Sequence, residues 1–411
     1  MAGPVADATS PVSSRALLVS TDASSRRAEA FQIFILKLVG FCNLNCSYCY
    51  MFNSADQSHA SKPRYMSSEI ALLSLRAIER QMKDAGTASA SLTLHGGEPT
   101  LWPVQSFRAL LEEIERLRRN GISLDLSLQT NLWQKPKPEL LELCIAHDVG
   151  IGVSLDGPQR FNDVNRFDFA GHGSYKKILA NAQSLIDEGF GRLLAGFLCV
   201  MQPAVPPEDF LAWVASLPVT KIDLLWPIHF NAANTPWQGD GEARYATAPL
   251  YGIWLEKLFE AWWDADNPDI DIQLFSRAVE AELGGRRATD MLGAHSFKTV
   301  VVNTDGAIEL ADYFRTAADG GSRTGHSILT DPFDAILHDR RFKSLHRAAE
   351  RVPAHCRSCD HVTTCGGGTL SGRLDSQGNV SARRSVLCHD HKRFFDAVAR
   401  RVREELRSAT R

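Results

Sequence analysis

Residues 31–50 read FQIFILKLVGFCNLNCSYCY, and this stretch decides the fold. A β-prone apolar run from Phe31 to Val39 is followed at once by Cys42, Cys46 and Cys49, which are separated by three and then two residues. In parallel α/β folds the reactive groups follow the strands, because the loops at the carboxyl ends converge on one mouth. The stretch therefore predicts a first strand whose following loop carries metal-binding thiols.

Further β-prone runs alternate with amphipathic segments such as Ser67–Ala85 and Val104–Asn120, which is typical of repeated β-α units. The other candidate strands are Ser91–His95, Ser123–Gln129, Gly150–Leu155, Leu194–Met201 and Ile222–Pro227. Six such units predict an α/β fold with a partial (β/α)6 TIM-type barrel over residues 31–235.

The rest of the chain divides into three predicted regions. Residues 1–30, rich in Ala and Ser, are expected to be a flexible N-terminal segment, and residues 236–298 a linker with bridging helices. Residues 299–411 form a second domain that opens with a hairpin, Thr299–Leu310, in which Asp305-Gly306 favours a tight primed turn.

The composition excludes several classes of function. A net charge of -3 gives no basic stripe, so nucleic acid is not an expected partner. No apolar stretch reaches the roughly 20 residues of a membrane-spanning helix, and we expect no membrane association and a cytoplasmic location. Nine cysteines are an odd number, which argues against complete disulfide pairing. Cys144 and Cys199 lie among apolar neighbours and are expected to be packing residues.

The three N-terminal thiols suit three corners of a 4Fe-4S cluster and leave one iron with open coordination sites. Structural zinc is the alternative, but it needs a fourth ligand, and His59 lies outside the usual spacing. The spacing, with Tyr48 directly before the third cysteine, resembles the signature of the radical SAM superfamily. This resemblance implies that Cys42, Cys46 and Cys49 hold a 4Fe-4S cluster that binds S-adenosylmethionine.

Polar groups follow the next three predicted strands, and the resemblance assigns them to the same cofactor. Gly96, Gly97 and Glu98 would hold its amino group, and Arg166 would bind its carboxylate. Side chains suited to a ribose or a carboxylate are those of Gln129, Thr130, Asn131 and Ser154, with Asp156 nearby. Without the cysteines, these residues read equally well as ordinary caps and turns.

A second set of thiols, Cys356, Cys359, Cys365 and Cys388, can complete a four-ligand site. Tetrahedral zinc fits the count and spacing as well as an iron-sulfur cluster does. The layout resembles the C-terminal SPASM extension of peptide-modifying radical SAM enzymes. Full SPASM domains hold two auxiliary clusters, but Ala311 and Asp312 stand where the first of them draws a cysteine. The resemblance therefore implies a SPASM-like iron-sulfur domain with one auxiliary 4Fe-4S cluster.

Several further segments resemble the cyclophane-forming radical SAM/SPASM peptide maturases. They are Asp223–Pro227, Tyr251–Leu255, Gly284-Gly285, Thr304–Glu309 and Cys365–Gly368. This resemblance implies a precursor peptide as substrate, a bond between an aromatic ring and the β-carbon two residues later, and an electron donor such as a flavodoxin or ferredoxin. The alternatives are another SPASM-type reaction, namely thioether formation or formylglycine-generating sulfatase maturation, and a non-catalytic metal-binding redox scaffold.

The implied reaction needs a base, since the ring loses a proton after the bond forms. Asp312 and Glu309 are the candidate catalytic residues, and their alternative is a solvated turn. We also expect Trp226, His229, Phe275 and Arg277 to line the peptide cavity, although Trp226 and Phe275 also suit a core.

Overall fold

The computed structural model describes residues 30–285 and 298–410. Apart from Ala30, the predicted flexible segment 1–30 lies outside these residues, as do residues 286–297 of the predicted linker region. No helix in the described ranges has both the length and the hydropathy needed to cross a bilayer.

Ten strands form one sheet across the described residues, in the order β10-β9-β8-β1-β2-β3-β4-β5-β6-β7. Neighbours from β8 through β7 pair in parallel, whereas β9 and β10 are antiparallel additions at one edge. The strands are β1 Ile33–Val39, β2 Ser89–Gly96, β3 Ser123–Thr130, β4 Gly150–Ser154, β5 Leu194–Val200, β6 Lys221–Leu225, β7 Asp271–Ile272, β8 Thr299–Val302, β9 Ala307–Glu309 and β10 Arg323–Ser327. The predicted α/β fold with a partial barrel is confirmed.

Helices connect the first six strands, as the alternation of β-prone and amphipathic segments predicted, and further helices follow β6. They are α1 Ser68–Ala85, α2 Val104–Arg119, α3 Pro138–Ala146, α4 Gln159–Asn165, α5 Tyr175–Asp187, α6 Pro207–Ala215, α7 Glu242–Thr247, α8 Leu250–Ala265, α9 Gln273–Glu282, α10 Phe333–His338, α11 Arg340–Glu350, α12 Val362–Cys365 and α13 Cys388–Ala409. Short 3-10 helices include Pro99–Leu101 and Asp312–Thr316.

Local sequence explains the helix boundaries and their packing. Ser67 caps α1, since its hydroxyl accepts a hydrogen bond from Ile70 N at 3.2 Å, and Gly86 ends the helix with a φ of 63°. On α2, the buried residues recur at helical spacing and pack against the sheet: Phe107, Leu110, Leu111, Ile114 and Leu117. The buried sheet and the helix faces together make one continuous apolar core, and that core fixes where each strand ends.

Two features of the C-terminal region differ from expectation. Strand β8 pairs in parallel with β1, so the predicted hairpin extends the barrel sheet. The hairpin turn is not primed, because φ is positive at Gly306 but at neither Thr304 nor Asp305, whereas a type I′ turn needs positive φ at both central residues. Gly306 N donates to Asn303 O at 2.9 Å, so the glycine takes the left-handed position after the turn. The division into barrel, linker and second domain stays a prediction.

Candidate active site

The cysteine loop directly follows β1, and N–H groups of the loop and of a neighbouring strand end point at the sulfur of Cys42. Cys42 Sγ accepts hydrogen bonds from Leu44 N and from Asn131 Nδ2, each at 3.4 Å. Burial, and then the nearby Glu98, Cys46 and Cys49, raise the pKa of the Cys42 thiol to about 12. A bound cation would reverse this effect, because ligation favours the thiolate. N–H donors around adjacent thiols suit an iron-sulfur cluster.

The Gly96-Gly97-Glu98 turn at the end of β2 packs against the cysteine loop. Gly97 N donates to Val39 O at 2.7 Å, and Glu98 N donates to Phe41 O at 3.0 Å. A Cβ at Gly97 would lie 1.9 Å from Phe41 O, so only glycine allows this approach.

The Glu98 side chain is buried, and both of its carboxylate oxygens accept hydrogen bonds from other residues of the protein. Its Oε1 accepts hydrogen bonds from Thr130 Oγ1 and Thr100 Oγ1, each at 2.7 Å, and its Oε2 accepts from Asn131 N at 2.8 Å. Glu98 thus joins the ends of β2 and β3. Its predicted contact with an ammonium group stays a prediction, and only Oε2 has ample room for another bond.

The other predicted strand-end residues are close to the same loop. Asn131 Nδ2 donates to Asn43 Oδ1 at 2.8 Å and so positions the cysteine loop. Thr130 Oγ1 donates a hydrogen bond to Glu98 and accepts one from Leu132 N. The Gln129 side chain forms a hydrogen bond with His95. Ser154 is half-buried at the end of β4. Their proposed contacts with a cofactor are untested predictions.

Tyr48, Asp156 and Arg166 form a buried triad beside Cys46. Tyr48 OH donates to Asp156 Oδ2, and Arg166 Nη1 donates to Tyr48 OH at 2.9 Å. Arg166 is 6% exposed, and its Nε has no hydrogen-bond partner. A buried guanidinium N–H without an acceptor suits a carboxylate ligand at this position.

The two candidate bases have different surroundings. Asp312 begins the 3-10 helix after β9, and its Oδ2 accepts a hydrogen bond from Lys37 Nζ at 2.6 Å. Its Oδ1 accepts no hydrogen bond. Burial opposes ionisation of Asp312, but Lys37 and then Arg315 hold its pKa below the usual value. Asp312 is therefore an ionised carboxylate between two cations, with its Oδ1 3.5 Å from Arg315 Nε and its side chain 13% exposed.

Glu309 does not face a cavity, so its expected placement needs correction. It is 1% exposed. Its oxygens form ion pairs with Arg315 and, at 3.2 Å, with Lys62, and both accept hydrogen bonds from Asn303 Nδ2 at 3.1 Å. Because Glu309 is almost fully buried and its lone pairs are used by Arg315, Lys62 and Asn303, it has no access to a substrate.

A pocket of about 460 Å³ opens beside the cysteine loop. Its walls come from that loop, the segment after β6 and the 3-10 helix of Asp312, and its lining includes Ser47, Tyr48, His229, Asn231, Asn234 and Thr316. His229 thus lines a cavity as expected. Trp226 and Phe275 are instead core residues, 1% and 0% exposed. Arg277 is on α9, and its side chain is directed toward Asp223 on β6.

The second set of cysteines gathers around a glycine turn and the start of α13. Burial, together with the nearby Cys388 and Cys356, raises the pKa of the Cys365 thiol to about 12, while backbone N–H groups of Gly367 and Gly368 point at its sulfur and oppose this rise. Cys359 N donates to Cys356 O at 3.1 Å. Adjacent thiols with N–H donors fit the predicted cluster, as at the first site.

Neither cysteine set converges on a single-ion site. Within residues 30–285 and 298–410, no three His, Cys, Asp or Glu side chains are arranged around one point. Tetrahedral zinc needs four ligands at about 2.0–2.3 Å from one ion, whereas a cluster spreads its thiolates over different irons. Cys144 and Cys199 are buried and unpaired, as predicted for packing residues.

Sequence reasoning missed the buried partners of Asp312. Lys37, Tyr50 and His95 surround this carboxylate, although Lys37 lies 275 positions away along the chain. One signal was available: Lys37 is the only charged residue in the strand IFILKLV. A fully buried lysine needs an anionic or polar partner.

Comparison with known proteins gives a consistent result. Residues 36–217 match the family model of the Radical SAM superfamily. The cysteine-type anaerobic sulfatase-maturating enzyme of Clostridium perfringens is 23% identical over 373 residues, covering 86% of this chain and 92% of the relative. The serine-type enzyme of Bacteroides thetaiotaomicron is 22% identical over 386 residues and 90% of each chain.

Two solved structures share the fold. Native anSMEcpe with bound AdoMet and Cp18Cys peptide superposes with a TM-score of 0.74 at 19% identity, covering 92% of this chain and 99% of that one. Streptococcus suis SuiB bound to precursor peptide SuiA gives a TM-score of 0.54 at 14% identity, covering 93% and 84%. At these identities the likeness shows the fold alone.

Proposed function

We propose that this chain, whose residues 36–217 match the family model of the Radical SAM superfamily, is a radical SAM enzyme that uses a 4Fe-4S cluster and S-adenosylmethionine to mature a ribosomally made precursor peptide. The proposed product carries a new bond between an aromatic ring and a β-carbon. The observation that supports a radical reaction completed by proton loss is Asp312, a carboxylate that Lys37 and Arg315 hold ionised near the cysteine loop, and the motif resemblance favours the crosslink as its product.

The proposal divides the chemistry between cofactors and side chains. When bound, the reduced cluster and S-adenosylmethionine supply a 5'-deoxyadenosyl radical that removes a hydrogen atom from the peptide β-carbon. Cys42, Cys46 and Cys49 would hold that cluster, and the free Arg166 Nε would bind the cofactor carboxylate. Asp312 then accepts the proton that the ring loses after the bond forms.

One electron must also leave the peptide, and the overall loss is two hydrogens. An auxiliary 4Fe-4S cluster held by Cys356, Cys359, Cys365 and Cys388 would supply a one-electron acceptor. We propose a flavodoxin or ferredoxin as the external electron donor and a cytoplasmic location.

The substrate site is proposed to be the pocket between the cysteine loop and the Asp312 helix. Its volume of about 460 Å³ holds a few residues of an extended chain, and Asn231 and Asn234 offer amide groups to a peptide backbone. Tyr48 on one wall belongs to the triad with Arg166, so peptide and cofactor would meet at this wall.

Formylglycine formation is the second candidate, and the two sulfatase-maturating relatives favour it. It starts from the same β-hydrogen and also requires loss of a proton and an electron, so Asp312 would serve equally well. The resemblance in Thr304–Glu309 and Cys365–Gly368 favours the crosslink instead.

The test is anaerobic incubation of reconstituted protein with S-adenosylmethionine, dithionite and synthetic peptides. One peptide series places an aromatic residue two positions before a residue with a β-methylene, and the other carries Cys or Ser in a sulfatase sequence. We expect the mass of the first series to fall by two hydrogens. One of these is an aromatic ring proton, whose signal should be missing from the NMR spectrum. A peptide aldehyde that reacts with hydrazine would favour the second candidate, and absence of 5'-deoxyadenosine would support a non-catalytic scaffold.

A further inference from the structure

Four polar side chains form a closed cluster inside the barrel, and the reaction above uses only one of them. Lys37 lies on β1, His95 on β2, Tyr50 directly after Cys49, and Asp312 after β9. The Lys37 side chain is 0% exposed and that of Asp312 is 13% exposed. Burying a lysine this completely is costly unless each of its hydrogens finds an acceptor.

Lys37 makes three contacts in this cluster. Its Nζ donates to Asp312 Oδ2 at 2.6 Å and to Tyr50 OH at 3.1 Å, and it lies 3.3 Å from His95 Nδ1. An ammonium group has three N–H donors and no acceptor, so Asp312 and Tyr50 accept two of its hydrogens, while the lone pair of His95 Nδ1 accepts its shorter hydrogen bond from Gly96 N. The ammonium group is thereby fixed, and with it the carboxylate to which it donates its shortest bond.

His95 contributes a neutral, oriented ring. Gly96 N donates to His95 Nδ1 at 2.7 Å, and Lys37 approaches the same nitrogen, so the ring proton belongs on Nε2, 3.3 Å from Tyr50 OH. Burial, and then Lys37, lowers the pKa of His95 to about 3. The ring is therefore uncharged, and the charges facing Asp312 are those of Lys37 and Arg315, with the Glu309 carboxylate beyond Arg315.

We propose that Lys37, held by Tyr50 and His95, is the positioning residue that orients the Asp312 carboxylate for proton removal from the peptide. Lys37 donates to Oδ2, and Oδ1 lies 3.5 Å from Arg315 Nε, so the carboxylate is held in one orientation from both sides. The inference rests on the proposed function, because it assumes that Asp312 is the base.

The experiment measures modified peptide per 5'-deoxyadenosine for the full chain with its clusters reconstituted, using the synthetic aromatic peptides. A structural defect lowers both quantities, whereas a misplaced base lowers their ratio, since hydrogen abstraction then continues without completion. We expect Lys37→Met to lower the ratio about tenfold or more. The acid limb of its pH profile should move to higher pH, since the cation that holds down the pKa of Asp312 is gone.

Four further variants make the result decisive. Lys62→Met removes another cation of the same buried network, paired with Asp305 at 2.9 Å and Glu309 at 3.2 Å but not with Asp312, and should keep the wild-type ratio. Asp312→Asn should lower the ratio, and Lys37→Met combined with Asp312→Asn should lower it no further, because both act at one step. If Lys37→Met alone fails to fold, Lys37→Gln carries the same expectation.

The two proposals can fail separately. A wild-type protein that leaves every peptide unmodified overturns the proposed function and this inference with it. A wild-type protein that makes the product, together with a Lys37→Met ratio and acid limb equal to wild type, overturns only the inference. Multiplicative losses in the double variant also overturn it, because Lys37 would then act elsewhere.

Discussion

Arg166 is the residue whose unused bonding capacity best indicates a ligand. Its Nη1 is occupied by Tyr48 OH at 2.9 Å, and Asp156 lies on the other side of that hydroxyl. Its buried Nε has no acceptor. Leaving such a donor unpaired costs about 1–3 kcal/mol, and a carboxylate at this position would remove the cost.

Substitution Arg166→Met is therefore expected to weaken binding of S-adenosylmethionine. Loss of a charge-assisted hydrogen bond of about 1.5–3 kcal/mol corresponds to roughly a tenfold to hundredfold rise in Kd. Isothermal titration of anaerobically reconstituted protein measures this value, with iron content checked in each sample. Arg160→Met is the control, since Arg160 is exposed and its ion pair with Asp209 is long, at 3.8 Å. Unchanged affinity in Arg166→Met would contradict the assignment.

At the scale of elements, the sequence was most informative about strands. Apolar residues bounded by turn residues predicted β1 to β6 to within a few residues, because at least every second residue of most of these strands is buried in the core. The two-residue strand β7 and the pairing of β8 with β1 were not predicted, since a short edge strand has no pattern of its own. The thiols and strand-end residues were found from local motifs, whereas the Lys37 cluster depends on pairings between distant strands.

The contact between the Gly96-Gly97 turn and the cysteine loop gives a prediction at the same scale. In Gly97→Ala the new Cβ would lie 1.9 Å from Phe41 O, and backbone cannot move aside as a flexible side chain can. We expect displacement of the cysteine loop, loss of about four irons per chain, and no 5'-deoxyadenosine.

The matched control for that variant is Gly150→Ala on β4. Its Cβ would meet Ala195 Cβ at 3.4 Å, which is ordinary contact, so iron content and cofactor cleavage should equal wild type. Iron analysis and chromatography of the nucleoside products distinguish the two variants. Full iron content in Gly97→Ala would show that the loop tolerates the added carbon and that the close approach is not required.

At the scale of the whole molecule, the sheet order and a helix contact explain how the parts of the chain that carry the two sets of thiols are connected. Strand β8 continues the barrel sheet beside β1, and β9 leads directly to Asp312. Helix α13, which begins at Cys388, packs along α8: Gly252 N donates to Asp390 Oδ1 at 2.9 Å, and Arg393 pairs with Glu256 at 2.6 Å. The C-terminal thiols are therefore attached to the barrel through a helix rather than through the cysteine loop.

That separation predicts that the second cluster can be removed without disabling the first. In a chain with Cys356→Ala and Cys359→Ala, bound iron should fall by about half, because one of two four-iron clusters is lost. Cleavage of S-adenosylmethionine without peptide should persist, since its proposed binding residues are on β1 to β4 and their loops. Modified peptide should disappear, because the electron acceptor is gone. Cys144→Ala, in the core of α3, is the control and should retain all the iron. Bound zinc in place of iron in the wild-type protein, or full product from the double variant, would show that these four thiols serve another purpose.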